Sequence, residues 1–377
     1  METGLLKQYL KNFDYWTILI LIGFAVYSYF GISSAKPNTS YADKQLIWYG
    51  LGFLILFIVL LIDYEIISQY SYFFYGLGLL LLLGLFIFAD ETKGIVGWYS
   101  FKGIKFQPSE LMKIFVIITL AKYMSKKNQE PFEKFYQLYP VFLIIGIPFF
   151  LILMQPDLGT GVVFIMIMLS MMLVYGVKLR HFLYLGSIAG SGVFTLIYLY
   201  NFKQEIFFKI IENYQWLRLT SFLDPSKDPL DSGYQVMQSL IAIGSGQLKG
   251  VGLYMGKQGK NNWVPESHTD FIFSVIAEEH GFIGGSILIL LFFFLIYRII
   301  RIGIDTKDNF GTYLAAGLVG MWVFTIFENI GMTLSLMPVT GIPLPFISYG
   351  GSALLTNFIS LGIILNIGMR KKRSMFE

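Results

Sequence analysis

Apolar runs of about twenty residues without a charge recur along this chain, and no other feature restricts its fold so strongly. A helix of that length crosses the roughly 30 Å hydrocarbon layer, and in lipid its backbone groups must be satisfied within the segment. Candidate spans fall at 15–35, 45–62, 68–89, 108–124, 138–155, 158–177, 182–201, 280–297, 311–333 and 348–369. Composition agrees: 55% of the residues are apolar and 14% charged, with mean hydropathy +0.63, where a soluble domain carries about 25% charged residues. A conventional soluble enzyme is excluded. Zero cysteines remove thiolate metal sites, disulfides and a cysteine nucleophile, and a net charge of +4 is too small to point to nucleic acid.

The charge instead reports topology. The first run follows Lys7 and Lys11 but exceeds the 7 to 15 residues of a signal peptide's apolar core, so it reads as an uncleaved anchor. Ten spans place both termini on one side, with Lys7, Lys11, Lys122, Lys126, Lys127, Lys134, Lys178, Arg180, Arg298, Arg301, Lys307, Arg370, Lys371, Lys372 and Arg373. The short opposite loops hold only Lys36, Lys44, Lys93, Lys102 and Lys105, so the positive-inside rule puts the termini in the cytoplasm. The fold class expected is an all-α polytopic membrane protein of about ten transmembrane helices, one domain over 1–377 with a basic tail at 370–377. A large extracytoplasmic loop at 202–270 includes Tyr234 to Leu253, apolar and glycine-rich but too short to span, expected as a re-entrant or interfacial segment lining a groove.

Ionisable groups within spans are costly and point to function. In the fourth span, Pro108 suits the first helical position, and Glu110 and Lys113 share a face, either as a self-neutralising pair or as a charged cavity wall. Asp157, in Gln155 to Thr160, either caps the sixth span or faces a site. The densest cluster is Val264 to Phe273, with Glu266, His268 and Asp270, followed by Glu278 and Glu279. Thr269 or Asp270 can cap a helix starting at Phe271; equally, a carboxylate beside an apolar wall can be tuned as a base. Glu278 and Glu279 read as structural hydrogen-bonding partners, and Glu328-Asn329 as a packing pair. The last outside loop, Met337 to Ser352, has three prolines and cannot be one helix, so protein must cover it. Its Ser348 and the small residues after it permit close helix packing or close ligand approach.

FQPSELMK at 106–113, QPDLGT at 155–160, LTSFLDP at 219–225, QSLIAIGSG at 238–246, PESHTDFIF at 265–273 and PVTGIPLPFISYGGS at 338–352 together resemble the SEDS family (shape, elongation, division and sporulation) of bacterial membrane proteins. The motifs cover nearly the whole chain in order, and Thr340 is similar to the elongation-type members, since division-type members more often carry lysine there. One departure is Gly97 before Trp98, where members often carry arginine.

The resemblance implies a peptidoglycan glycosyltransferase in the bacterial cytoplasmic membrane, polymerising lipid II onto a growing glycan strand on the outer face. It also implies a class B penicillin-binding protein for transpeptidation, other elongation-complex membrane proteins as partners, and a divalent cation, Mg²⁺ or Mn²⁺. It places Glu110 and Lys113 in a central cavity, with Trp98 and Asp157 at its edge. A β-1,4 bond formed from an α-linked diphosphate inverts the anomeric carbon and needs one base, for which Asp270 is the expected residue. Arg218, Lys249, Lys257 or Lys260 could receive the diphosphate's charge, with Glu266, His268 and Ser348 nearby in the polar segments. The rivals are a lipid II flippase, which predicts essential polar groups on both faces, and a non-catalytic scaffold for a penicillin-binding protein, which has no need of Asp270.

Overall fold

A computed structural model describes residues 12–89, 97–101, 104–127, 132–211, 213–229, 231–259, 261 and 263–370. Lys7, Lys11, Lys93, Lys102, Lys260 and residues 371–377 of the basic tail lie outside them. The helices are α1 (Tyr15–Ala35), α2 (Tyr41–Leu61), α3 (Tyr64–Gln69), α4 (Ser71–Phe88), α5 (Pro108–Lys126), α6 (Tyr139–Leu153), α7 (Leu158–Tyr175) and α8 (Leu179–Phe202). There follow α9 (Gln204–Ile210), α10 (Asn213–Leu223), α11 (Ser232–Gly246), α12 (Ile272–Asp305), α13 (Asn309–Thr333) and α14 (Gly351–Met369). A two-stranded hairpin, β1 (Tyr99–Phe101) with β2 (Ile104–Phe106), precedes α5, and Tyr99 pairs with Phe106.

Nine of the described helical segments are long and apolar enough to cross a membrane. The tenth expected span, α5, carries Glu110, Lys113, Lys122 and Lys126, yet 13 of its 19 residues are buried. Pro108 opens α5 at its first turn, where its missing N–H costs nothing. α14 lies along α2, α13 packs on α5, α7 and α12, and α1 packs on α12, which makes α13 the inner post of the bundle. One face of the bundle carries the chain between α8 and α12 and is called the loop face below.

Several expectations change. The third span is broken at Tyr70, where Asp63 caps the short α3 before α4 begins. The segment 202–270 is largely helical, and within Tyr234 to Leu253 α11 packs along α12 rather than standing as irregular chain. The eighth span starts earlier than 280: α12 has 34 residues, about 51 Å at the helical rise, and breaks at Gly281 (φ 64, ψ −164). A side chain at Gly281 would meet the Gly250 nitrogen at 2.3 Å. The orphaned groups at the break are taken by the loop after α11: Val251 N and Gly252 N donate to the Glu278 and Glu279 carbonyls (3.0 and 3.1 Å), and Phe282 N and Ile283 N donate to Gln247 and Leu248 (2.8 and 3.1 Å). Glu278 Oε1 also accepts from Lys257 N and Gln258 N, and Glu279 from Ser34, so both carboxylates are structural partners.

The Met337 to Ser352 loop enters the bundle. Phe346 rings with Phe24, Trp322 and Phe358 at 5.6, 5.8 and 6.0 Å, all near the middle of their helices. Its backbone carbonyls find side-chain donors at that depth, Ser28 on Ile347 at 2.7 Å, Tyr49 on Phe346, and Gln45 on Ser348 at 3.1 Å. This is irregular backbone tolerated because protein surrounds it.

Candidate functional site

The segment ending at Asp270 and the loop before α14 are zipped together. Tyr349 N donates to the His268 carbonyl (2.9 Å), Ser348 Oγ donates to Thr269 O, and Leu344 N donates to Ser348 Oγ (2.8 Å). Asn329 Nδ2, on α13, donates to both Asp270 O (2.8 Å) and Ile342 O (2.7 Å), so one amide clamps the two chains. The N-cap position of α12 falls on Phe271 and no side chain caps it, which overturns the expectation that Thr269 or Asp270 serves as cap. The Asp270 carboxylate rests instead against the turn at Gly341 (φ 76), where a side-chain carbon would lie 3.5 Å from Oδ2. Glycine is required there by the backbone angle, and it leaves the carboxylate room.

Glu266 adopts a positive φ of 50 and turns the chain, its carbonyl accepting from Thr269 N and Phe271 N. His268 stacks on Tyr41 with centroids 4.9 Å apart and meets Tyr349 at 5.9 Å, forming an aromatic side wall. On α5 the buried Lys113 and Glu110 pair at 2.8 Å, as their spacing suggested. They line a narrow cavity of about 20 Å³ with Ser348, Asn357, Trp322 and the irregular segment 342–346, room for about one water. Asp157 caps α7 through Thr160 N (3.0 Å) and receives Gln107 Nε2 at 3.5 Å. Burial pushes its carboxyl above the ordinary range, the Thr160 hydrogen bonds pulling the other way, and it feels the charges of Glu110 and Lys113. Close to it, Gly159 abuts Thr340 and Ile342, so α7, α5 and the re-entrant loop converge.

Other expected residues stand apart. Trp98 is half-buried ahead of β1, Arg218 is half-buried on α10, and Lys249 and Lys257 are exposed on the loop that serves the Gly281 break. The residues missed by sequence reasoning are Glu328, Asn329, Gln107, Tyr41 and Tyr349. The polar pair Glu328-Asn329 in an apolar helix was the available signal, and it reads as packing until Asn329 is seen holding Asp270. On the opposite face the charges tie helix ends together, Arg298 bidentate on Asp14 at 2.8 Å and Arg370 on Asp63 at 3.1 Å. Among the described residues no three histidine, aspartate or glutamate side chains are grouped as they would be around a metal ion.

Fold and site together define a multi-pass helical membrane protein with buried polar side chains set in broken backbone near one face. The chain belongs to the FtsW/RodA/SpoVE family, whose profile, described as "Cell cycle protein", matches residues 11–373. It is 37% identical over 332 residues to stage V sporulation protein E of Bacillus subtilis, covering 87% of this chain and 86% of that protein. It is 33% identical over 362 residues to the peptidoglycan glycosyltransferase MrdB of Escherichia coli K12, covering 96% and 95%. A solved structure described as "Structural coordination of polymerization and crosslinking by a peptidoglycan synthase complex" superposes with TM-score 0.80 at 27% identity, over 96% of this chain and 99% of that one. The rod shape determining protein RodA of Thermus thermophilus superposes with TM-score 0.71 at 26% identity, over 96% and 98%.

Proposed function

We propose that this chain is a peptidoglycan glycosyltransferase that polymerises lipid II into glycan strands during cell elongation. It would sit in the bacterial cytoplasmic membrane with both termini cytoplasmic and its loop face outward, beside a class B penicillin-binding protein and other elongation-complex membrane proteins. The observation that carries the reading is the Asp270 carboxylate, held against Gly341 with its own backbone clamped by Asn329. Relatives with matching length carry the name peptidoglycan glycosyltransferase, and the site lies on the face away from the paired charges at Asp14 and Asp63. That one-sided placement favours chemistry over transport, which needs working polar groups on both faces.

The reaction in this reading is one inverting displacement. Asp270 takes the proton from the acceptor sugar's 4-hydroxyl as that oxygen bonds to the donor's anomeric carbon. The bond to the diphosphate breaks and its electron pair leaves with undecaprenyl diphosphate. Arg218, half-buried on α10, and the exposed Lys249 and Lys257 are the candidates to meet that charge. A bound divalent cation would supply further positive charge at the leaving diphosphate. Glu110 and Lys113 keep the cavity polar, Asp157 lies near them at the start of α7, and apolar grooves between helices would take the polyprenyl tails.

The test is polymerisation of labelled lipid II by the purified protein, its partner's transpeptidase blocked, comparing wild type with Asp270→Asn. Loss of long strands by at least about a hundredfold in a folded mutant is the expected result. Undiminished strands would remove Asp270 from the role.

A further inference from the structure

Glu328 sits in the twentieth position of α13 with no exposed surface. Its Oε1 accepts from Thr340 Oγ1, while Oε2 has no hydrogen-bond partner. The next residue in the loop, Gly341, is the one the Asp270 carboxylate rests on, so Thr340-Gly341 stands between two carboxylates, one on each side. A buried carboxylate with an open oxygen is an expensive arrangement that packing alone does not require.

We propose that Glu328 is a positioning residue for the glycosyl transfer: the hydrogen bond it accepts from Thr340 fixes the Thr340-Gly341 turn on which the Asp270 carboxylate rests. The proposal rests on the reading of Asp270 as the base. The turn and the Asn329 clamp then hold Asp270 from two sides, its carboxylate against Gly341 and its carbonyl on Nδ2. A small displacement of the base from the acceptor hydroxyl costs rate steeply, so the bond is expected to act on turnover rather than on binding.

The experiment is lipid II polymerisation by the full-length protein, with kcat, KM and thermal stability measured for wild type, Glu328→Gln, Glu328→Leu and Thr340→Val, and Asp270→Asn as control. Gln keeps an acceptor for the Thr340 hydroxyl and is expected to retain kcat within about threefold, whereas Leu removes the acceptor and is expected to lower kcat at least about tenfold with KM little changed. Thr340→Val deletes the donor of the same hydrogen bond and is expected to match Leu. A purely structural Glu328 would lose activity only in step with thermal stability, or equally in Gln and Leu. Wild-type kcat in folded Glu328→Leu, with Asp270→Asn inactive, overturns the role of Glu328 alone. Full activity in Asp270→Asn overturns the base assignment and the Glu328 role with it.

Discussion

α5 and α8 make an instructive pair. α5 carries four charges in 19 residues and buries 13 of them; α8 is apolar over most of 24 residues and buries only His181. In water the ranking would be reversed. In lipid, apolar side chains gain nothing by leaving the hydrocarbon tails for a neighbouring helix, so burial follows polar groups, close approach and shape. α5 is drawn in by the Glu110–Lys113 pair, by Thr119 donating to Ser71 O at 3.1 Å, and by glycines such as Gly317 of α13, where a side-chain carbon would meet Ile117 at 2.8 Å. α8 offers Gly186, Gly190 and Gly192, and nothing approaches any of them within 4 Å. Its attachments are at its ends, His181 to the Phe132 carbonyl at 3.0 Å and Tyr200 against Phe207 and Trp216.

The comparison can be broken most directly at Lys113. Lys113→Met leaves Glu110 buried and alone, and is expected to cost about 3 to 5 kcal/mol in unfolding experiments in detergent, with loss of polymerisation. The double variant Glu110→Gln/Lys113→Met sharpens the point: it is expected to recover most of the stability and none of the activity, separating what holds α5 in place from what the cavity does. A smaller effect is expected from Gly317→Val, about 1 to 3 kcal/mol from overpacking against Ile117 and Met171. The matching change on α8, Gly190→Val, and likewise Leu183→Ala, should stay within about 0.5 kcal/mol, because neither meets a neighbour it can strain or abandon. A large destabilisation from either would show that α8 packs elsewhere than on lipid.

The same contrast explains what could be read from the chain. Span positions, Pro108 at the start of α5, the Glu110–Lys113 pair and the Asp157 cap follow from local spacing, since each involves residues within a turn of one another. The break at Gly281 and the depth of the Phe346 loop depend on hydrogen bonds between residues far apart in the chain, from 27 positions for Val251 to Glu278 to 303 for Gln45 to Ser348. Hydropathy has no term for those partners. Glu328 was visible as a polar residue in an apolar helix, but Asp270, across the Thr340-Gly341 turn from it, lies 58 positions earlier, and only the fold brings the two to one turn.

The Asn329 clamp has a consequence for the order in which the chain is made. Asp270 leaves the ribosome with α12, but the amide that grips its backbone, the Gly341 turn beneath its carboxylate and the Ser348 hydroxyl on its neighbour are all synthesised afterwards. A nascent chain that has inserted α1 through α12 therefore holds its proposed base in an open pocket. Only when α13 is in the membrane and the proline-rich loop has folded back into the bundle does the site close, so translation itself delays the moment at which this chain can act on its membrane.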